Sequence, residues 1–312
     1  EIQDVPGWEE VVRRLHSRDD TDVYITGSNA RLLSGELATH LTGRYITIPV
    51  YPLSFDEYQR HHRAQGTTDS TDQLFSKYMM FGGMPGLFAT GQPDQDKATE
   101  ILTSIYESIV MKDVAGRYGI RDIATLEKLS RYLFSTSGNL FSVNKVANTL
   151  TSAGANASYA TVDNQISALE RSFIVYSAQQ ERMRGKELLR PQRKFYPVDN
   201  GFRNLATGFN GSDRGAQLEG IVFMELQRRG YDVTIGSLPD GEIDFIAKRG
   251  NNKQYIQVTL NMTEEQTRER ELDPLRRLGD AFPRTVLTLD WHSEGMTDEG
   301  IHITNVMDWL CS

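Results

Sequence analysis

Gly241-Glu242-Ile243-Asp244-Phe245-Ile246-Ala247-Lys248 and, beyond the turn Gly250-Asn251-Asn252, Tyr255-Ile256-Gln257-Val258-Thr259 decide how the last third of this chain folds. Both runs are short and apolar, rich in β-branched and aromatic residues, and separated by Gly and Asn. That is the spelling of two strands joined through a turn. Side chains alternate across a strand, so Glu242 and Asp244 share one face. Such a pair is either part of a site or two acids at a sheet edge. Upstream, helix Ala216–Arg229 carries Glu219 and strand Tyr231–Ser237 leads into the pair. Downstream, Thr263-x-x-Gln266 spells a capping box that opens a helix predicted to run to Phe282. A strand Thr285–Asp290 and a final segment Ile301–Leu310 complete the unit.

This α-β-β-β-α-β order, with one acid on the first helix and another on the middle strand, resembles the PD-(D/E)XK nuclease superfamily. The resemblance implies that carboxylates hold Mg²⁺ through oxygen ligands and that a lysine positions the attacking water. Glu219 matches the helix acid and Asp244 the strand acid, and these two are the metal ligands it implies. Gln257 stands at the third position and Thr259 where the lysine belongs. An amide brings an oxygen without charge, and a threonine brings no cation. The expectation is a nuclease-like fold without nuclease activity: no neighbour in sequence replaces the lysine, although Lys248 or Lys253 could approach in space. The alternative is a metal-dependent nuclease with an altered site.

The region before it is basic. Net charge over the chain is −8, yet residues 121–203 carry 12 Lys/Arg against 7 Asp/Glu, while 1–120 carry 11 against 17 and 204–312 carry 11 against 18. A basic segment between acidic flanks points to an anionic partner. Its apolar spacing predicts helices Leu126–Ser135, Ser142–Leu150 and Tyr159–Phe173, then strands Phe173–Gln179 and Lys194–Val198. On the third helix Val162, Ile166, Leu169 and Phe173 form the apolar stripe, and Thr161, Asn164, Gln165, Ala168 and Arg171 are expected outside. Between the strands, residues 182–194 hold six basic residues against one acid: Arg182, Arg184, Lys186, Arg190, Arg193 and Lys194. A helix-turn-helix followed by a basic hairpin is a DNA-binding geometry in which the hairpin meets phosphates and the helix reads bases. Asn164 and Gln165 have amides suited to adenine edges. The same elements also serve as protein-interaction arms, with those amides merely solvated.

The N-terminal stretch starts Glu1-Ile2-Gln3-Asp4-Val5-Pro6-Gly7-Trp8, followed by an amphipathic helix and the apolar run Val23-Tyr24-Ile25-Thr26-Gly27-Ser28-Asn29. Further on comes Tyr51-Pro52-Leu53-Ser54-Phe55-Asp56-Glu57-Tyr58, in which Ser54 and Glu57 form a capping box. These stretches resemble bacterial and archaeal ATP-binding proteins of the AAA superfamily that carry a C-terminal half of unknown function. The resemblance puts Glu1 at the second acid of the Walker B pair, Ser28 and Asn29 at a γ-phosphate sensor, and Arg44 within reach of a phosphate in trans. By residue type alone, Gly27-Ser28-Asn29 is equally a turn and helix cap, and Arg44 an ordinary surface arginine. No G-x-x-x-x-G-K-[ST] loop occurs in the 312 residues, and such a loop is what cradles the β- and γ-phosphates. The chain is therefore expected to be a C-terminal fragment. ATP and Mg²⁺ belong to the full-length protein, and neither binds this chain tightly. On this reading the full-length protein is an ATPase and the chain alone is inactive.

Four parts follow from these observations in an α/β multidomain chain. Residues 1–52 are the remnant of an AAA-type parallel sheet, with strands at Val23–Thr26 and Tyr45–Tyr51 and a helix at Leu32–Leu41. Residues 53–120 are a helical lid, broken at Gly82–Gly86, in which Asp113 and Arg117 form a solvated i,i+4 pair. Residues 121–203 are winged-helix-like, and 204–312 are a restriction-endonuclease-like α/β domain. Composition, with 38% hydrophobic and 24% charged residues, is that of a folded globular chain. No apolar run approaches the ~18–20 residues of a membrane span. The single cysteine, Cys311, excludes an internal disulfide and suits a reducing cytoplasm. DNA is the expected partner. A protein partner or a second copy of the chain is the alternative, and no membrane association is expected.

Overall fold

The computed structural model describes the chain apart from residues 1, 3, 4, 19, 29–44, 90, 92, 156, 182–191, 210, 212, 239 and 240. The fold is mixed α/β, with one nine-stranded sheet and eleven α-helices among the described residues. Helix α1 (Trp8–His16) buries Trp8 and Val12 against Ile2, Val23 and Ile25 in a small cluster of its own. The strands expected at Val23–Thr26 and Tyr45–Tyr51 are not formed among the described residues: Ile2 N donates to the Thr26 carbonyl at 3.2 Å, but no strand ladder develops at either stretch. Alternating apolar residues give a strand only when its backbone groups find a ladder. The helix expected at Leu32–Leu41 lies outside the described residues.

From Pro52 onward the chain is densely packed. The Ser54–Glu57 capping box forms in both directions, Glu57 N donating to Ser54 Oγ at 3.1 Å and Ser54 N to Glu57 Oε2 at 2.8 Å, and starts α2 (Phe55–Ala64). A second box at Ser70 and Gln73 starts α3 (Thr71–Phe81). Helix α4 (Gln95–Ser108) runs on into a π-helical stretch, Ile109–Gly116. Then come α5 (Ile123–Ser135), β1 (Leu140–Phe141), α6 (Val143–Ser152), α7 (Tyr159–Arg171), β2 (Val175–Glu181) and β3 (Arg193–Pro197). The remainder is α8 (Asn200–Thr207), α9 (Arg214–Arg228), β4 (Asp232–Leu238), β5 (Gly241–Arg249), β6 (Asn252–Thr259), α10 (Glu265–Arg276), β7 (Arg284–Thr288), β8 (Gly295–Met296), β9 (His302–Asn305) and α11 (Val306–Leu310). Helix α10 starts without a side-chain cap and stops at Arg276. Neither the Thr263 box nor the extension to Phe282 is realised, and Pro283 and Gly279 explain the early end.

The strand order is β1-β3-β2-β4-β5-β6-β7-β9-β8. The hairpin β2–β3 is antiparallel, and β2 then runs parallel to β4, Gln179 opposite Thr234. Thus the sheet continues without a break from the basic region into the C-terminal region, and the boundary placed at 203/204 falls inside α8. Both ends of the sheet are strands of two residues. One face carries α9, with Phe223, Phe245 and Tyr196 stacked against each other. The other carries α10, with Ile243, Ile246, Tyr255, Leu272 and Leu275. A third core lies among α4 to α7 and α8.

Candidate functional site

Strands β3 and β5 and helix α9 converge on one charge cluster built around the buried Lys194. The register between β4 and β5 slips at its centre: Thr234 faces Ile246 but Gly236 faces Ile243, so Ile235 stands opposite both Asp244 and Phe245. This bulge places Ile243 and Ile246, three apart, in the α10 core, and leaves Phe245 in the α9 core. Glu242 and Asp244 are thereby delivered to Glu219, which projects from α9. Into the same place β3 sends Lys194 and Tyr196. Lys194 Nζ lies 3.3 Å from Glu219 Oε1 and is paired with Glu242 Oε1. Tyr196 donates its hydroxyl to Glu219 Oε1 at 2.7 Å. The loop before β1 closes over the carboxylate at Gly138, where φ is 81° and a Cβ would come within 3.1 Å of Glu219 Oε2.

The electrostatics follow from this burial. Burial opposes the charge on Lys194, yet Glu219, Glu242 and Asp244 together hold its pKa above the ordinary lysine value. Burial raises Glu219 in spite of the lysine beside it. Asp244 is held well above the usual carboxylate range by burial and then by Glu219, although Val258 N donates to its Oδ2 at 2.8 Å. Acids outnumber the cation here, and their mutual repulsion adds to burial in raising the carboxyl pKa values.

Gln257, the expected third ligand, does not join them. It lies two residues past Tyr255, on the α10 side of the sheet. Its amide oxygen accepts from the Asp244 backbone N–H at 3.3 Å and its amide nitrogen donates to Glu271 at 3.0 Å. Thr259 donates its hydroxyl to the Asn261 carbonyl at 3.2 Å. Lys194 was read as a phosphate contact on the hairpin. The structure corrects that: its side chain is 5% exposed and faces the acids. Arg193, its neighbour, faces the other way, toward Asp163 at 3.2 Å and Glu170 at 3.4 Å on α7. A clue was present in the sequence, since Lys194 alternates with Phe195 and Tyr196 in a run too apolar for a solvated strand.

The other expected residues are scattered. On α7, Tyr159, Asn164 and Arg171 are exposed, while Gln165 and Ala168 are buried, because the helix is covered on a wider arc than the stripe implied. Ser28 donates to Asp113 Oδ1 at 3.1 Å, and Asp113 pairs with Arg117 at 3.1 Å. This pair is mostly buried, not solvated, and Ser28 is bonded to its acid. Glu1, Asn29, Arg44, Arg182, Arg184, Lys186 and Arg190 lie outside the described residues.

A second buried acid was missed altogether. Asp199, at the N-cap of α8, accepts from Gly201 N and Gly83 N, both at 2.7 Å. Burial pushes its pKa up to about 6 against the pull of these donors. Gly82 sits so close that a Cβ would overlap the carboxylate. Around it, Leu53 N donates to the Gly83 carbonyl at 2.8 Å, Tyr78 to the Leu53 carbonyl at 2.9 Å and Arg228 to the Pro52 carbonyl at 2.7 Å. A water-sized cavity of about 20 Å³ lies among these groups. Asp199 thus clamps residues 52–83 onto the sheet.

Comparison with known proteins divides the chain in a related way. Residues 1–59 match a family described as an AAA domain, and residues 72–213 match a domain of unknown function (DUF8612). An uncharacterized protein of Haemophilus influenzae is 39% identical over 310 residues, covering 99% of this chain and 76% of that protein. Two uncharacterized proteins of Methanocaldococcus jannaschii, MJ1544 and MJ1637, are 30% and 24% identical. The chain spans 62% and 57% of their lengths. No solved structure matches significantly. No helix among the described residues is long and apolar enough to cross a membrane.

Proposed function

The chain belongs to the family of the Haemophilus influenzae protein, and from that premise we propose that it is the C-terminal portion of an AAA-superfamily ATP-binding protein, a DNA-associated module governed by the nucleotide-binding part. ATP and Mg²⁺ enter through that part, and a Mg-ATP titration of this chain giving micromolar affinity would overturn the assignment.

The observation that carries the reading is the order of elements from α5 to β3. A helix, a two-residue strand, two helices joined by a short turn, and a hairpin follow one another, and their strands lie at one end of the nine-stranded sheet in the order β1-β3-β2. That order supports a winged-helix-like reading of residues 121–203. Its third helix, α7, presents Tyr159, Asn164 and Arg171 to solvent. The hairpin loop brings Arg182, Arg184, Lys186 and Arg190 in sequence, while Arg193 and Lys194 stay engaged with protein acids. Loop cations that meet phosphates bind without regard to sequence and release counterions, whereas a helix amide discriminates bases.

The test is fluorescence anisotropy of duplex DNA across a salt series. Neutralising Arg182, Arg184 and Lys186 together should weaken binding to all sequences and flatten the salt dependence by up to ~2.7 log units per log salt, if all three meet B-DNA phosphates. Asn164→Ala should leave that slope alone and narrow the difference between sequences. Absence of binding at low salt would replace the DNA reading by a protein partner for the same arm.

A further inference from the structure

The carboxylate cluster poses a question of charge that the resemblance to nucleases answers in one way and the geometry in another. Glu219, Glu242 and Asp244, each half-buried, meet around one point, and carboxylates crowded together away from bulk water demand a cation. A nuclease-like site would bring a divalent metal. The residues do not fit one. Mg²⁺ requires near-octahedral oxygen ligands at about 2.0–2.1 Å. Here Gln257 is turned to Glu271, one oxygen of Asp244 is engaged by Val258 N, and Lys194 occupies the space between Glu219 and Glu242. Among the described residues no group of three or more His, Cys, Asp or Glu side chains is arranged to hold a metal ion.

We propose that Lys194 is the resident cation of this cluster, an ion-pair lock that holds β3 on α9 and β5 and keeps divalent metal away from the carboxylates. Three features support it. The ammonium arrives on β3, which is bonded to β1 on one side and β2 on the other, so its backbone position is held from both sides. Tyr196, two residues on and therefore on the same face, fixes the Glu219 oxygen that Lys194 also contacts. The loop covers Glu219 at Gly138, whose φ of 81° favours glycine and where a Cβ would press on the carboxylate at 3.1 Å. The lock thus joins the residues matched by the domain of unknown function, which end at 213, to the sheet that follows them. It rests on neither DNA binding nor the ATPase assignment.

Mn²⁺ titration of the 312-residue protein, followed by the EPR signal of the free ion, decides the matter. The wild type should leave that signal undiminished through millimolar Mn²⁺. Lys194→Met should melt well below wild type, deplete the free signal, and regain melting temperature as Mn²⁺ is added. Adding Asp244→Asn to it should abolish the depletion. Lys194→Arg, which keeps a cation, should remain silent to metal. Wild-type protein that binds Mn²⁺ and loses this with Asp244→Asn would overturn the proposal, and needs no destabilised variant. So would a folded Lys194→Met protein that neither binds Mn²⁺ nor melts lower. As a separate reading, the melting loss caused by Lys194→Gln should shrink in a Glu242→Gln background, and an additive loss would refute the ion-pair lock.

Discussion

Residues 45–50, Tyr-Ile-Thr-Ile-Pro-Val, and residues 254–259, Gln-Tyr-Ile-Gln-Val-Thr, are spelled much alike, yet they end in opposite environments. In the first, Ile46, Ile48 and Val50 are 90%, 73% and 92% exposed. In the second, Tyr255 and Ile256 are buried on opposite faces of β6, between β5 and β7. The alternation alone does not bury anything. It makes a segment ready for a sheet, and neighbours on both sides with matching registers complete the strand. The border between the two regimes is sharp. It lies at Pro52 and Leu53, where Arg228, Tyr78 and Gly83 take up the backbone carbonyls and N–H groups.

The strongest test of this contrast is to truncate an apolar side chain on each side of the border. Phe245 is fully buried, with the Tyr196 and Phe223 rings each 5.9 Å away. Phe245→Ala should cost about 3–5 kcal/mol by urea unfolding, whereas Ile48→Ala should stay within about 0.5 kcal/mol. A comparable loss at Ile48 would mean that the exposed segment is packed in solution.

The border itself has a pH signature. Asp199 carries a pKa of about 6 in the fold against an ordinary 3.8. A carboxyl raised by folding contributes stability that is complete below the ordinary value and is lost as pH rises through the folded one. Between pH 4 and 7 the wild type should therefore lose up to about 3 kcal/mol relative to Asp199→Asn. The variant also carries a pH-independent penalty, because its amide cannot accept from both glycine N–H groups. Urea midpoints measured across that range should show a sloping difference, and a flat one would mean that the carboxyl stays ionised.

The smallest expected effect is at the first cap beyond the border. Ser54→Ala removes the acceptor for Glu57 N and should cost about 1 kcal/mol. Hydrogen exchange should then rise over the first turn of α2 and leave β6 unchanged.

Much of the helical architecture was legible in the residues, since it rests on local chemistry. The Ser54 box, the start of α6 after Ser142, and Trp8–His16 all form where side-chain caps or apolar spacing placed them. The C-terminal strands were legible too, within one to three residues. What could not be read was pairing between distant segments. Nothing in residues 175–181 announces a parallel partner at 232–238. The bulge opposite Ile235, which turns Asp244 toward Glu219, left only a faint trace in the three-residue spacing of Ile243 and Ile246. For the cluster, Glu219 and Asp244 were found from their places on helix and strand. Lys194 was misread because its charge was weighed with the loop before it rather than with the apolar residues after it. Asp199 was missed because nothing local distinguishes a buried aspartate from an ordinary helix cap.

The two-residue strands at either end of the sheet bear on how molecules of this protein can meet. Leu140–Phe141 and Gly295–Met296 already bond to β3 and β9 on their inner sides. An incoming chain would find only a couple of backbone groups at either rim, too few to template a further strand. Sheet-to-sheet polymerisation therefore stops before it begins.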